Sequence, residues 1–232
     1  MDNWLIQFVL LPLCAYVIAA TPFGVLLGRL KGVDIRKVGS GNIGSTNVGR
    51  VLGRRWGYLC FALDVSKGLL PVLAAGLLLG TVQAPSQVAA NPPSLLAQGS
   101  WLAVACAAIL GHVLPFWLKF RGGKGVATAL GVVVGFFPYF TFAGLTAFGI
   151  WIVVTLISRY VSLGSIVAAV LFVPLLVVYS WRFGWPLDGL WPLGAFAAAM
   201  VALIIVRHRS NIRRLLDGTE NKIGPKAPAG AQ

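Results

Sequence analysis

Seven apolar stretches divide this chain, and nearly all of its positive charge lies between or after them. A helix crossing about 30 Å of hydrocarbon needs about 20 apolar residues. Candidate runs lie at roughly 4–27, 57–79, 99–118, 125–139, 141–157, 161–180 and 190–206. Of the 19 Lys and Arg residues, only Lys67 and Arg182 fall outside four segments, 28–56, 119–124, 158–160 and 207–232. If the runs alternate in direction, those four segments share one face of the membrane. The pattern predicts an all-α, polytopic membrane bundle of about seven transmembrane helices. The positive-inside rule then puts the N-terminus outside and the C-terminus in the cytoplasm.

Composition agrees. The chain is 58% hydrophobic and 11% charged, against about 25% charged for ordinary soluble domains. The net charge of +13 could suggest a nucleic-acid partner, but no basic segment is independent of an apolar one, so none is expected. Juxtamembrane cations favour membrane lipids and anionic substrates instead. Cys14, Cys60 and Cys106 lie inside apolar runs with no metal-ligand spacing, which points to buried small residues rather than disulfides or a zinc site. The N-terminus lacks a basic region and carries Asp2, so the first run reads as a retained span. The segment 80–98 is polar, proline-rich and free of Lys and Arg, as expected of an outside loop. One integral-membrane domain is expected over 1–224, followed by a flexible cytoplasmic tail at 225–232.

The weak point is 125–157. These 33 residues would make about 50 Å of helix, too long for one upright span and short for two. Gly135-Phe136-Phe137-Pro138 supplies a break. A single span would place Lys124 and Arg159 on opposite faces, so two short spans are the expectation, tilted or buried in the bundle.

Three clusters carry polar chemistry at the cationic face. The first runs from Gly39 to Arg50 and contains Ser40, Gly41, Asn42, Gly44 and Asn47. Its GxGxxG match is accidental, because a dinucleotide fingerprint follows a strand and this follows an apolar span. Plain loop and anion site both remain open, since glycines let backbone N–H groups approach an anion and Arg50 can grip phosphate with two bonds. The second is Gly111-His112 followed by Arg121-Gly122-Gly123-Lys124-Gly125, with Thr128 beyond. It fails the P-loop pattern, because Gly125 follows the lysine. A positive anchor and an anion site at a helix start are both consistent with it. The third is the basic stretch Arg207–Glu220, in which His208 and Asn211 fall three apart, on one helix face. Asp64 and Lys67, also three apart, read first as a buried ion pair; Lys67 near a phosphate is the alternative.

Together these clusters resemble the bacterial membrane glycerol-3-phosphate acyltransferases that use acyl-phosphate as donor. The matching motifs are Ser-Gly-Asn-x-Gly-x-x-Asn-x-x-Arg at Ser40–Arg50, Gly-His…Gly-Gly-Lys-Gly-Val-Ala-Thr at Gly111–Thr128, and His-x-x-Asn-Ile-x-Arg-Leu…Gly-Thr-Glu at His208–Glu220. Asp64-x-x-Lys67-Gly68 also looks like the family's second span. Ser210, where an acidic residue is common, and the long 80–98 loop are departures. The resemblance implies an enzyme of phospholipid synthesis in the bacterial inner membrane, with its active site facing the cytoplasm. The hydroxyl of glycerol 3-phosphate would attack a fatty acyl-phosphate, giving lysophosphatidic acid and inorganic phosphate. The candidate catalytic residues are Ser40, Arg50, Lys124, His208 and Asn211. The candidate substrate contacts are Gly41, Asn42, Gly44, Asn47, Lys67, Gly122, Gly123, Gly125, Thr128 and Glu220. No cofactor and no metal are implied, and a monomer is the expectation. The His-x-x-x-x-Asp signature of soluble-type glycerolipid acyltransferases is absent: the fifth residue after His112 is Trp117, and after His208 it is Arg213. A transporter or channel for a phosphorylated anion is the alternative function.

Overall fold

The computed structural model describes residues 3–223, and all of its regular structure is helical. The expected tail at 225–232 lies outside the described residues. In chain order the α-helices are α1 (Leu11–Ala19, preceded by a π turn at Ile6–Leu10), α2 (Phe23–Leu30), α3 (Ser45–Leu52), α4 (Arg54–Leu79), α5 (Pro85–Val88), α6 (Leu95–Val113), α7 (Val126–Gly135), α8 (Thr141–Ser158), α9 (Val161–Phe183), α10 (Trp191–Arg207) and α11 (Arg209–Leu216). The 80–98 segment thus holds one short helical turn and the start of α6.

Hydrogen bonds sort the loops into two ends of the bundle. At one end, Ser100 donates to Gln7 O, Gln98 donates to Gly189 O, Trp185 donates to Pro85 O, and Gln83 donates to the Tyr139 hydroxyl. At the other, Lys67 reaches Thr21 O, Arg207 reaches the Gly122 and Gly123 carbonyls, Lys124 reaches Asn211, Ser162 reaches Glu220, Arg159 Nε donates to Ile223 O and Ile223 N–H to Arg159 O. This second end carries the basic segments. Lys124 and Arg159 therefore share an end while Tyr139, between them, touches the opposite one. The 125–157 region goes up and back as two legs.

Those legs are unequal. Among the described residues, α8 is one of five helices long and apolar enough to cross a membrane, with Ile6–Leu30, α4, Leu95–Leu118 and α9; α10 and α11 make a sixth only if their 55° bend is taken within one span. α7 has ten residues, or about 15 Å. It continues as the buried turn Phe136–Phe140 rather than as a full-length span. It survives inside the bundle because glycines let it lie almost on the backbone of α4. A Cβ on Gly131 would come 2.0 Å from Val65 O, and one on Gly68 2.3 Å from Thr128 O. In lipid, where apolar surface gains little from helix contact, such close approach supplies the packing energy. Trp101 plugs the core above it, donating to Val72 O at 2.7 Å and lying 4.3 Å from the Phe136 ring centroid.

The basic end also holds a buried ionic cluster. The break at Thr21-Pro22 leaves the Thr21 carbonyl free of a helical partner. Lys67 Nζ donates to it at 2.9 Å and pairs with Asp64 at 2.8 Å. With both neighbours in place and 3% exposure, Lys67 is a structural cation here. Its charge is matched by Asp64 within the protein, as the three-residue spacing suggests, and a substrate contact would fall to the third Nζ–H.

Candidate active site

The site grows from the bend between α10 and α11. The helix stops at Arg207, and His208 caps both helices with backbone at φ −100°. The bend turns His208 and Asn211 inward, leaving them 2% and 4% exposed. His208 Nδ1 lies 2.8 Å from Ile204 O. A carbonyl only accepts, so Nδ1 carries the proton and Nε2 keeps a free lone pair. Burial lowers the His208 pKa, and the nearby Lys124 charge adds to this, so the ring is neutral near pH 7.

Lys124 donates to Asn211 Oδ1. Asn211 Nδ2 donates to Glu220 Oε1 at 2.5 Å, where Ser162 Oγ also donates at 2.8 Å, and Arg214 Nε donates to Glu220 Oε2 at 2.7 Å. Burial alone would raise the Glu220 pKa; the bonds from Asn211, Ser162 and Arg214 outweigh it and leave the carboxyl ionised below its ordinary range. Glu220 was expected to touch substrate. Its oxygens accept from these three partners, so it holds Asn211 and, through it, Lys124 in place. Burial pushes the Lys124 pKa down to about 8, with Glu220 opposing the drop and Arg214, Arg207 and Arg50 adding to it. Arg50 is thus within electrostatic reach of Lys124. Arg50 itself is exposed and has no hydrogen-bond partner among the described residues.

Several N–H groups of the glycine-rich loops are bonded within the protein. Gly122 N–H donates to Val113 O and Gly123 N–H to His112 O. These glycines are there for space: a Cβ would lie 2.1 Å from His112 O at Gly122 and 2.2 Å from the His112 ring at Gly123. Arg207 then ties both glycine carbonyls, at 3.2 and 2.7 Å. In the first loop, Asn47 is 1% exposed and spends its amide on the loop, donating to Ile35 O, Val38 O and Asn42 O and accepting from Ser40 N–H. Asn42 Oδ1 accepts Gly44 N–H at 2.8 Å, and Gly41 N–H goes to Val38 O. Of the expected substrate contacts, Asn47, Gly41, Gly44, Gly122 and Gly123 thus spend these groups within the protein, and Asn42 does so with its Oδ1. The Ser40 side chain stays exposed. Gly125, at φ +84°, starts α7 and leaves the first-turn N–H groups of that helix facing the loop. Thr128 is fully buried against Gly68, its Oγ1 without a hydrogen-bond partner.

Beside the polar cluster lies a cavity of about 90 Å³ lined almost wholly by carbon. It starts at Val126 and Ile204, next to Lys124 and His208, and reaches Val133, Gly144 and Phe172. Two groups at this site had no signal in the sequence: Ser162, at the start of α9, and Arg207, which reads as one more topological cation.

The fold and the site define a multi-pass membrane protein with a cationic cluster set against an apolar slot. Residues 9–218 match the family model described as glycerol-3-phosphate acyltransferase. A glycerol-3-phosphate acyltransferase of Geobacter sulfurreducens is 46% identical over 209 residues, covering 90% of this chain and 93% of the relative. One from Rubrobacter xylanophilus is 41% identical over 224 residues, covering 96% and 98%. Among solved structures, the crystal structure of PlsY, an integral membrane glycerol 3-phosphate acyltransferase in its glycerol 3-phosphate form, superposes with a TM-score of 0.75 at 38% identity, covering 93% of this chain and 95% of that one. The lysophosphatidic acid form gives 0.74. The chain belongs to the glycerol-3-phosphate acyltransferase family.

Proposed function

We propose that the protein transfers a fatty acyl group from acyl-phosphate to the primary hydroxyl of sn-glycerol 3-phosphate, releasing lysophosphatidic acid and inorganic phosphate at the cytoplasmic face of the bacterial inner membrane. The observation that carries this is the junction of two environments at Lys124. On one side are Arg50, Lys124 and Asn211, suited to phosphate and hydroxyl groups. On the other is a carbon-lined cavity suited to an acyl chain. A transporter would need a polar path onward to the far end, where Trp101, Phe136 and Phe140 close the core. That the similar PlsY structures hold glycerol 3-phosphate and lysophosphatidic acid fits the same substrate and product.

In this mechanism the substrate hydroxyl oxygen forms a bond to the acyl carbonyl carbon, and the bond from that carbon to the phosphate oxygen breaks. The hydroxyl proton goes to His208 Nε2 or to a phosphate oxygen, and phosphate leaves with the electron pair. Lys124 and Arg50 hold the phosphates, and Lys124 with Asn211 stabilises charge developing on the carbonyl oxygen. Preorganisation is built in, because Glu220 and Arg207 fix Asn211 and the lysine loop before substrate arrives.

Purified protein should form lysophosphatidic acid from glycerol 3-phosphate and palmitoyl-phosphate. No product from a folded sample would sink the reading, and product with palmitoyl-CoA alone would remove the donor assignment. His208→Gln separates the two bases: near-normal turnover excludes His208 as the sole base. Cysteine labelling of 40–50 and 208–220 from opposite faces of the membrane would break the single-site arrangement.

A further inference from the structure

The wall of the apolar cavity is unusual on one side. α4 packs along α7, and α8 along α9, but the α4 and α8 backbones barely touch. What bridges that seam is a stack of three rings. Phe61 of α4 lies 6.1 Å from Phe148 and 6.4 Å from Trp151, and Phe148 and Trp151 are 5.5 Å apart, with ring planes within 16°, 15° and 12° of parallel. All three line the cavity and all three are half-exposed at the bundle surface. Trp151 is pinned by its Nε1–H to Ser165 Oγ at 3.2 Å, and Ser165 Oγ in turn donates to Val161 O. Phe61 and Phe148 carry no such tether and are held by ring contact alone.

We propose that the Phe61–Phe148–Trp151 stack is the specificity-determining wall of the acyl slot, and that its flat face selects straight acyl chains over chains kinked by a cis double bond. The inference rests on the acyl-phosphate reading above. The cavity begins at Val126, beside Lys124, so a chain whose carbonyl is at the polar cluster enters it from the carboxyl end. From Val126 to Val133 it extends about 10 Å along α7, far enough for the wall to feel the middle of the chain. An extended chain lies flat against three near-parallel rings. A kinked one must tilt a ring out of the stack or leave part of the wall uncovered, and either forfeits contact in a close-packed slot. With so little backbone contact between α4 and α8, losing a ring opens the slot sideways to lipid rather than letting the helices close over the gap.

The test is a competition. Wild-type protein in lipid nanodiscs receives saturating glycerol 3-phosphate and an equimolar mixture of palmitoyl-phosphate and palmitoleoyl-phosphate, and the two lysophosphatidic acids are counted by mass spectrometry. Wild type is expected to favour the saturated chain. Phe148→Leu and Phe61→Leu keep apolar volume but break the stack, and should shift the product ratio toward the kinked chain by about tenfold. The KM for glycerol 3-phosphate should stay unchanged, a split that general unfolding would not produce. Equal use of the two donors by wild type overturns the proposal without reference to any variant. A wild-type preference that both variants retain overturns it as well, while the acyl-phosphate reading stands. Absence of product from wild type with either donor takes down both.

Discussion

The two glycine-rich basic loops of this site look alike in sequence and do opposite things with their cations. In the loop at 39–50, the Asn47 side chain points inward while Ser40 stays exposed. Asn47 threads the loop together, and Arg50 projects from α3 exposed and unpartnered. In the loop at 121–125, the glycines press on His112, Arg207 grips their carbonyls, and Lys124 is half-buried and already bonded to Asn211. One loop presents a free guanidinium for substrate to recruit. The other holds a partly desolvated ammonium in a fixed place. A free charge serves binding, while a fixed and desolvated one serves the transition state, because it needs no reorganisation when charge develops.

That division sets the order of expected effects. Lys124→Ala should be the largest, lowering kcat by 10²–10³-fold as roughly expected for losing one preorganised oxyanion donor, with a smaller change in KM. Arg50→Ala should act mainly through the KM for glycerol 3-phosphate, by roughly 10- to 100-fold, the range for hydrogen bonds to a charged group. Steady-state kinetics with both substrates varied checks the pair. If Lys124→Ala moves only KM, or Arg50→Ala only kcat, the contrast between the loops is wrong.

Much of this was legible in the sequence, and the rest was not for identifiable reasons. The positive-inside pattern located the basic end, because the cost of moving charge through lipid depends on composition alone. The up-and-back path of 125–157 followed from Lys124 and Arg159 having to share a face. That α7 would be ten residues long did not follow, because its partner is chosen by glycines, Gly68 and Gly131, that lie far apart in the chain. At the site, residue types pointed to groups that the structure brings together at Lys124, Asn211 and Glu220, but not to the partners each would have. Glycine near lysine reads as an anion cradle, and only three dimensions show that a Cβ would strike His112. Asn47 and Glu220 read as substrate contacts because both are polar in an apolar chain. Their partners, Ile35 O, Val38 O, Ser162 and Arg214, are brought up by tertiary structure. Ser162 carries no local signal at all.

The Glu220 anchor gives the next test of the contrast. Glu220→Gln keeps the shape and the bonds to Asn211 and Ser162 while removing the charge that faces Arg214. It should disturb the held cation and spare the free one: kcat should fall by about tenfold, in line with one charge-assisted bond, with the KM for glycerol 3-phosphate little changed. A KM effect matching that of Arg50→Ala would mean that Glu220 touches substrate after all.

The smallest effect is a pH dependence that only the held cation can produce. An ammonium is charged below its pKa, and burial brings that of Lys124 down to about 8. Charge at this position is therefore lost as pH rises through about 8, well before an exposed lysine would lose it. Phosphate monoesters, with a second pKa of about 6, are already dianionic there, and neutral His208 does not change state in that direction. The expected result is a fall in kcat of roughly twofold between pH 7 and 8, steepening beyond. Glu220 raises the Lys124 pKa, so Glu220→Gln should move this limb to lower pH. Lys124→Arg, whose guanidinium stays charged, should flatten it at whatever turnover remains. A wild-type profile level up to pH 9 would show that Lys124 is not the desolvated cation on which the difference between the two loops depends.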